Sequence, residues 1–349
     1  MSTVYEVANL AGVSTATVSR VVHGSNLVHP DTRERVLAVI EELGYVPDGS
    51  AQGLSRRRKD IIGLAGLERG VTEVGIEKTG ALFMDELVHA VEAVLRGTEC
   101  SLLLTFGRAG EQFQHRVRAL SGKVDGLLIA EEVLPPGPLR ALARRIPVVA
   151  IAGRPEETEL DVVAVDNAAG MAGLAAHLIE EHGYRRLGFL AGPADSPDAV
   201  HRLAAFRRAV QDHPGCTLDL LLDGDFSEAS GAAAARALLD RETTPDVIAC
   251  ANDQMAIGMQ LTLQQAGLRV PGDVAVTGFD DIYASRVVTP ALTTVRQPLR
   301  ELGHQAAQRL FARIEDRDLP PQAEILPTQC EIRASCGCSG NSRQLSQPA

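Results

Sequence analysis

The chain has 349 residues, too many for one ordinary domain and enough to bury a sizeable core. No apolar run reaches the roughly eighteen residues of a membrane helix and no cationic, apolar leader opens the chain, so a membrane-spanning helix is not expected and a cytoplasmic protein is. The formal net charge of −11 argues against a nucleic-acid partner, but residues 1–60 carry seven Lys/Arg and seven Asp/Glu, so the whole excess of acid lies beyond them.

The first predicted element is a short helix opening at Thr3, whose side chain and that of Glu6 have the spacing of a capping box. Val4, Val7, Ala8 and Ala11 recur at i, i+3, i+4, i+7 as one apolar stripe. Gly12 suits the left-handed turn that ends a helix, and Ser14 supplies an N-cap oxygen for a second one. At about 100° per residue, Val18, Val21 and Val22 fall on one side of that second helix, with Ala16, Ser19, Arg20 and His23 opposite. Two such helices joined by Ala-Gly-Val read as a helix-turn-helix, whose second helix lies in the major groove of double-stranded DNA. Arg20 can pair bidentately with guanine, and Ala16 is small enough to meet a thymine methyl. Tyr5, Ser14, Thr17 and Ser19 are phosphate donors that set register, and Thr15 and Thr32 complete the DNA-facing set. A third helix follows, with Pro30 in its first turn, Val36, Leu37, Ile40 and Leu43 as its buried face and Gly44 as its stop. The plainer alternative is an ordinary helical hairpin in an ordinary core.

Pro47 to Ser55 comes next, with Gly49 and Gly53 each disfavouring helix by about 0.8–1 kcal/mol relative to alanine. In isolation this stretch should be disordered; as a helix it would bring Ala51 and Leu54 to one face. Arg56 to Lys59 is a cationic run that serves either as phosphate contact or as solvated linker.

From Ile61 the pattern changes to short apolar strands (61–67, 101–106, 126–129, 148–151, then 187–190, 247–251, 275–279) alternating with helical stretches such as 85–95. Such alternation predicts parallel sheets with helices on both faces. Ligands of such sheets sit beyond the carboxyl ends of the strands. Asn252-Asp253 and Asp280-Asp281 fall there, where carboxylate and amide groups either bind sugar hydroxyls or cap the following helices.

Cys100, Cys216 and Cys250 lie in apolar segments and read as buried free thiols. Cys330, Cys336 and Cys338 are closer together, but Cys-Gly-Cys lacks the paired CxxC of structural zinc sites, so no metal and no cofactor is expected. His177 and His182, five apart, miss the HExxH spacing; GxSxG, Walker and GxGxxG motifs are lacking too, and an enzyme is not expected.

The stretch VYEVANLAGVSTATVSRVVHGS, followed by VHPDTRERVLAVIEELGYVPDGSAQGL, resembles the head of the LacI/GalR family of bacterial transcriptional regulators. The likeness continues through Asp166-Asn167, His182-Gly183-Tyr184, Leu190-Ala191-Gly192-Pro193, Asn252-Asp253, Gly278-Phe279-Asp280-Asp281 and Pro290 to Val295. It implies an all-α helix-turn-helix head (1–47), a hinge (48–60), an α/β two-lobed periplasmic-binding-protein-like body (61–335) and a polar, disordered tail (336–349). It also implies a homodimer on a pseudo-palindromic operator, with hinge residue Leu54 wedged into the minor groove and Ala51 beside it. Arg202, Phe226, Asn252, Asp280 and Gln297 stand at the family's effector-contacting positions, although Arg202 alone could be a surface arginine and Phe226 a core ring. The stretch 67–83 lacks an Asn-Pro-Phe-Phe kind of motif, and Phe83 is taken as its substitute. His29 replaces a serine cap, and Ala205 a frequent glycine. The expected function is a repressor controlled by a small effector, most simply a sugar. The alternatives are a corepressor-dependent regulator with a non-sugar ligand, and a stand-alone solute-binding protein, which would have no use for residues 1–55. The tail shows no leucine heptads for a tetramer-forming coil.

Overall fold

The computed structural model describes residues 2–22, 25, 27–45, 58–67, 71–72, 75–76, 79–130, 133–154, 156, 159–339 and 344–345; for 71–72, 75–76, 79–82 and 344–345 only the backbone is described. The chain forms two compact units, Met1–Lys59 and Asp60–Ala349.

The first unit holds three helices, Val4–Ala11, Thr15–Val22 and Pro30–Leu43. Its opening is set by local chemistry: the Thr3 backbone N–H donates to Glu6 Oε2 at 2.7 Å and Glu6 N–H donates back to Thr3 Oγ1 at 3.3 Å. Gly12 ends the first helix at φ 64°, a conformation that costs a residue with a Cβ. Ser14 Oγ accepts from Thr17 N at 3.1 Å and so starts the second. Val7, Ala8, Ala11, Val18, Val21 and Val36 form the core, with Val4, Val22, Val39, Ile40 and Leu43 packed around it. Leu37, expected inside, is 48% exposed. Positions 36, 39, 40 and 43 make the i, i+3, i+4, i+7 stripe, and Leu37 is rotated about 100° from Val36. Val39 takes its place.

The body begins with β1 (Ile61–Leu67), a hairpin of β2 (Val71–Thr72) and β3 (Gly75–Ile76), and the helix Thr79–Leu95. Then β4 (Ser101–Gly107), β5 (Gly126–Ala130), β6 (Val148–Ile151) and β7 (Asp161–Val165) follow, with helices between them as far as β6. The chain then passes into a second lobe through the helix Asn167–Ala176 and a π turn, His177–Glu181, and builds β8 (Arg186–Ala191), β9 (Thr217–Asp223), β10 (Val247–Cys250) and β11 (Ala275–Thr277). The second lobe's sheet is parallel, in the order β11-β10-β8-β9. Strands β5 and β6 are buried at every position, which is why they read as uninterrupted apolar runs. β7 and β9 are not among the strands read from sequence; β9 lies at a sheet edge with a mostly exposed or half-buried pattern, and β7 opens on Asp161.

The lobes are not consecutive halves of the chain. After β12 (Thr294–Arg296) the helix Leu299–Glu315 returns to the first lobe, where Leu302, Ala306 and Leu310 share a core with Leu87 and Val91. β13 (Ala323–Leu326) then pairs in parallel with β7, completing the six-stranded sheet β13-β7-β6-β5-β1-β4. The chain crosses once more to β14 (Gln329–Glu331), antiparallel to β12. Three crossings, near residues 166, 297 and 327, therefore connect the lobes. The polar tail expected to be disordered from 336 is ordered in part: Cys336 is buried in a 3-10 turn, and β15 (Gln344–Leu345) pairs with β14.

Candidate functional site

β1, β8, β10 and β11 all run toward one cleft between the lobes, and the residues after their carboxyl ends line it. The cavity volume of the cleft is about 60 Å³. Leu67, Phe83 and Met84 face it from the first lobe; Ser196, Asp198, Arg202, Phe226, Ser227, Asn252, Gln254, Asp280, Ile282 and Gln297 face it from the second. The six residues singled out from sequence, Arg202, Phe226, Asn252, Asp280, Gln297 and Phe83, are thus brought to a single cavity.

Arg202 lies on the helix Pro197–Asp212 and is only 3% exposed, so its guanidinium needs a full set of partners. Nε donates to Asn167 Oδ1 at 2.7 Å, and Nη1 donates to the Ala251 carbonyl at 2.8 Å and to Asp280 Oδ1 at 3.4 Å. Nη2 is 3.5 Å from Asp198 Oδ2, and the group stacks 3.8 Å above the Phe279 ring centre. Asn167 in turn donates from Nδ2 to Asp198 Oδ1 at 2.8 Å. The surface-arginine alternative is therefore wrong: Arg202 is the hub of a buried polar network.

Phe226 sits at φ 71°, just before the Ser227 cap of the helix Glu228–Leu239. Its ring lies so close to Gly192 that a Cβ there would collide with it. Asn252 proves to be a cap and a cleft residue at once. Its Oδ1 accepts from Met255 N at 3.0 Å, and its Nδ2 donates to the Phe226 carbonyl at 3.0 Å and to Gln254 Oε1 at 3.5 Å, which leaves one lone pair on Oδ1 for a ligand.

The adjacent carboxylates part company. Asp280 and Asp281 both have positive φ, 126° and 58°. Asp280 turns to the cleft, where Gln297 Nε2 donates to its Oδ1 at 2.5 Å. The Asp281 carboxylate is fully enclosed and accepts from Arg286 Nη2 at 2.6 Å, Arg296 Nε at 2.7 Å and directly from Arg333 Nη2. Burial works to raise its pKa, but the hydrogen bonds from these three arginines prevail and hold it below the usual carboxylate value. Asp253 is also buried; it accepts from Ile282 N at 2.9 Å and from Thr294 Oγ1, and so fixes the turn that carries Asp280. Burial, reinforced by the charge of Asp280, pushes its pKa up. Sequence reading missed Asn167, Ser196, Asp198 and Ser227 as site residues, although Ser196 and Ser227 carry the signal of a serine cap just after a strand.

In the helix-turn-helix unit, Ser14, Ala16, Ser19 and Arg20 are exposed and Tyr5 is 75% exposed, while Thr15, Thr17 and Thr32 are half-buried. His23, Ala51 and Leu54 lie outside the described residues.

A helix-turn-helix unit and a two-lobed, cleft-bearing α/β body in one chain define the class of DNA-binding regulators built on a binding-protein scaffold. Residues 3–48 match the family of bacterial regulatory proteins called the lacI family, and residues 175–336 match the periplasmic binding protein-like domain. The HTH-type transcriptional regulator CelR of Thermobifida fusca is 36% identical over 336 residues, spanning 94% of this chain and 96% of its own. Among solved structures, the Lac repressor dimer bound to operator and the anti-inducer ONPF aligns with a TM-score of 0.81 at 26% identity, covering 96% of this chain and 99% of that one. The complex of the transcriptional regulator CelR with cellobiose aligns at 0.70 with 35% identity, covering 96% and 100%. The chain belongs to the LacI family and is a DNA-binding transcriptional regulator. No helix among the described residues is long and apolar enough to cross a membrane.

Proposed function

We propose that the protein is a homodimeric cytoplasmic repressor, without enzymatic activity, whose hold on a pseudo-palindromic operator is released by a carbohydrate of the cellobiose kind bound in the interlobe cleft. The observation that carries this reading is the chemistry of the cleft. Arg202, Asp280, Asn252 and Gln297 present converging donors and acceptors, and Phe226 and Phe83 line the same space. Fixed polar groups with flat apolar faces are what a ring carrying many hydroxyls and C–H faces requires. The likeness to a cellobiose-bound regulator supports the sugar class. Asp280 and Asp281 do not form a carboxylate pair for acid–base chemistry, because Asp281 is wholly committed to three arginines.

In this mechanism residues 1–47 read DNA, 48–60 link, and 61–335 bind effector and pair the subunits. The sugar binds one arrangement of the lobes better than the other, and that arrangement disfavours the operator-bound spacing of the two reading heads. Arg20 and Ala16 contact base edges; Tyr5, Ser14, Thr15, Thr17, Ser19, His23 and Thr32 set the register; Ala51 and Leu54 serve the hinge.

The test selects fragments of the source genome on the purified protein, then titrates the enriched site with cellobiose, other disaccharides and monosaccharides while DNA binding is followed by fluorescence anisotropy. A pseudo-palindrome released by a disaccharide, which is recovered unchanged, with release abolished in Asp280→Asn, is the expected result. Tighter DNA binding on adding a ligand would replace the inducer with a corepressor, and turnover of the sugar would overturn the non-enzymatic assignment.

A further inference from the structure

The cleft leaves unused a cluster at the other end of the helix that starts at Asn167, about 15 Å away along its axis. There the π turn His177–Glu181 and the residue after it present His177 and His182, and the C-terminal segment presents Cys336 and Cys338. Turns of the π type inside helical segments recur at functional sites. The imidazole Nε2 atoms of His177 and His182 are 3.3 Å apart. Cys336 Sγ is 3.6 Å from His177 Nε2, and Cys338 Sγ is 3.7 Å from His177 Nε2 and 3.4 Å from His182 Nε2. All four donor atoms lie within 4.8 Å of one another.

We propose that His177, His182, Cys336 and Cys338 form a structural zinc site that clips the C-terminal segment to the second lobe. A tetrahedral zinc ion with Zn–N near 2.0–2.1 Å and Zn–S near 2.3 Å sets its ligands about 3.3 Å apart for two nitrogens and about 3.6 Å apart for nitrogen and sulfur. Four of that tetrahedron's six edges match it, His177–His182, Cys336–His177, Cys338–His177 and Cys338–His182, and the other two lie within 4.8 Å. A thiol–imidazole hydrogen-bond cluster explains them less well: each Nε2 carries or accepts a single proton along one direction, whereas His177 Nε2 faces two sulfurs and a second Nε2. Two thiolates and two imidazoles select zinc over magnesium or calcium, and four protein ligands leave no open position for catalysis. Binding releases the two thiol protons, and both histidines coordinate as neutral rings through Nε2.

The surroundings are shaped for this approach. Gly337, between the two cysteines, has φ 106°, and a Cβ there would stand 3.2 Å from Tyr184 Oη and 3.4 Å from the His182 ring. Tyr184 Oη donates to the Cys336 carbonyl at 2.9 Å, and its ring stacks on that of His182 with centres 5.3 Å apart. Arg333, three residues before Cys336, holds Asp281, so the clip anchors the segment that reaches back to the effector side of the lobe. The expectation of no metal rested on the Cys-Gly-Cys spacing and on a tail read as disordered; the two histidines lie far earlier in the chain.

The experiment uses the untagged full-length protein, reduced, loaded with Zn²⁺, desalted and assayed by inductively coupled plasma mass spectrometry, with Co²⁺ loading followed by absorption spectroscopy. About one zinc per chain is expected, and the cobalt form should show a thiolate-to-metal charge-transfer band with intense tetrahedral ligand-field bands. Cys338→Ser and His182→Gln, both at half-buried positions, should each weaken zinc retention by about tenfold or more, while Cys216→Ser keeps it and circular dichroism shows all three folded. Folded wild-type protein that retains no zinc, or retention unchanged in Cys338→Ser and His182→Gln, overturns the site.

Discussion

Replacing Arg202 by methionine tests whether the effector site and the scaffold of the second lobe rest on the same guanidinium. The change keeps most of the volume and the apolar stem, but deletes the donors to Asn167, to the Ala251 carbonyl and to Asp280, the contact with Asp198 and the stack on Phe279. Breaking a buried ion pair by removing one partner costs about 3–5 kcal/mol. Here Asp280 keeps Gln297 and Asp198 keeps Asn167, so neither carboxylate is stranded, and the lower end, about 3 kcal/mol, is expected. For a body of this size about 1 kcal/mol corresponds to roughly 2–4 °C, so the melting temperature should fall by about 6–12 °C. A sugar at a hundred times its dissociation constant raises the stability of the wild type by about 2.7 kcal/mol, and this increment should vanish in Arg202→Met. Scanning calorimetry with and without cellobiose, beside operator anisotropy, reads both quantities. A variant melting within about 2 °C of the wild type would refute the hub. One that melted early yet still responded to sugar normally would leave Arg202 as scaffold alone.

Arg20→Ala should weaken operator binding by about 1–3 kcal/mol and relax selection at one base position, read by repeating the fragment selection on the variant. Asp281→Asn should lower stability at pH 7 by about 3 kcal/mol, since three arginines lose their shared charge. The Asp281 pKa is depressed in the folded protein, so its stabilisation is fully present above the ordinary aspartate pKa of about 3.9 and is lost as pH falls through the folded value; urea melts should show the two proteins converging below about pH 4. Gly192→Ala should push the Phe226 ring from its seat at a cost of about 1–3 kcal/mol and weaken cellobiose-driven operator release, read by titration calorimetry and anisotropy.

The head was legible because its determinants are local. A capping box, a glycine turn and a valine stripe lie within about twenty residues, and the one error, Leu37, came from counting an apolar residue without its helical phase. Strands β5 and β6 were legible because burial on both faces leaves only apolar residues, whereas β7, equally buried, opens on Asp161 and was missed. What escaped was built from distant stretches: β13, which completes the first sheet from residues 323–326, and the partners that hold Asp281 out of the cleft. In sequence those two are identical neighbours. Arg286, Arg296 and Arg333 separate them, and only the fold reveals that these three arginines converge.

That separation bears on how the cleft is tied to the crossings between the lobes. Arg296 ends β12, just before the second crossing between the lobes, and Arg333 follows β14, just after the third. Asp281 therefore joins two of the three connections, and Asp280, one peptide bond away, faces the effector cleft. Both residues hold positive φ, with little freedom to turn independently. One dipeptide of positive φ thus carries both a cleft residue and the carboxylate that ties two of the crossing segments together.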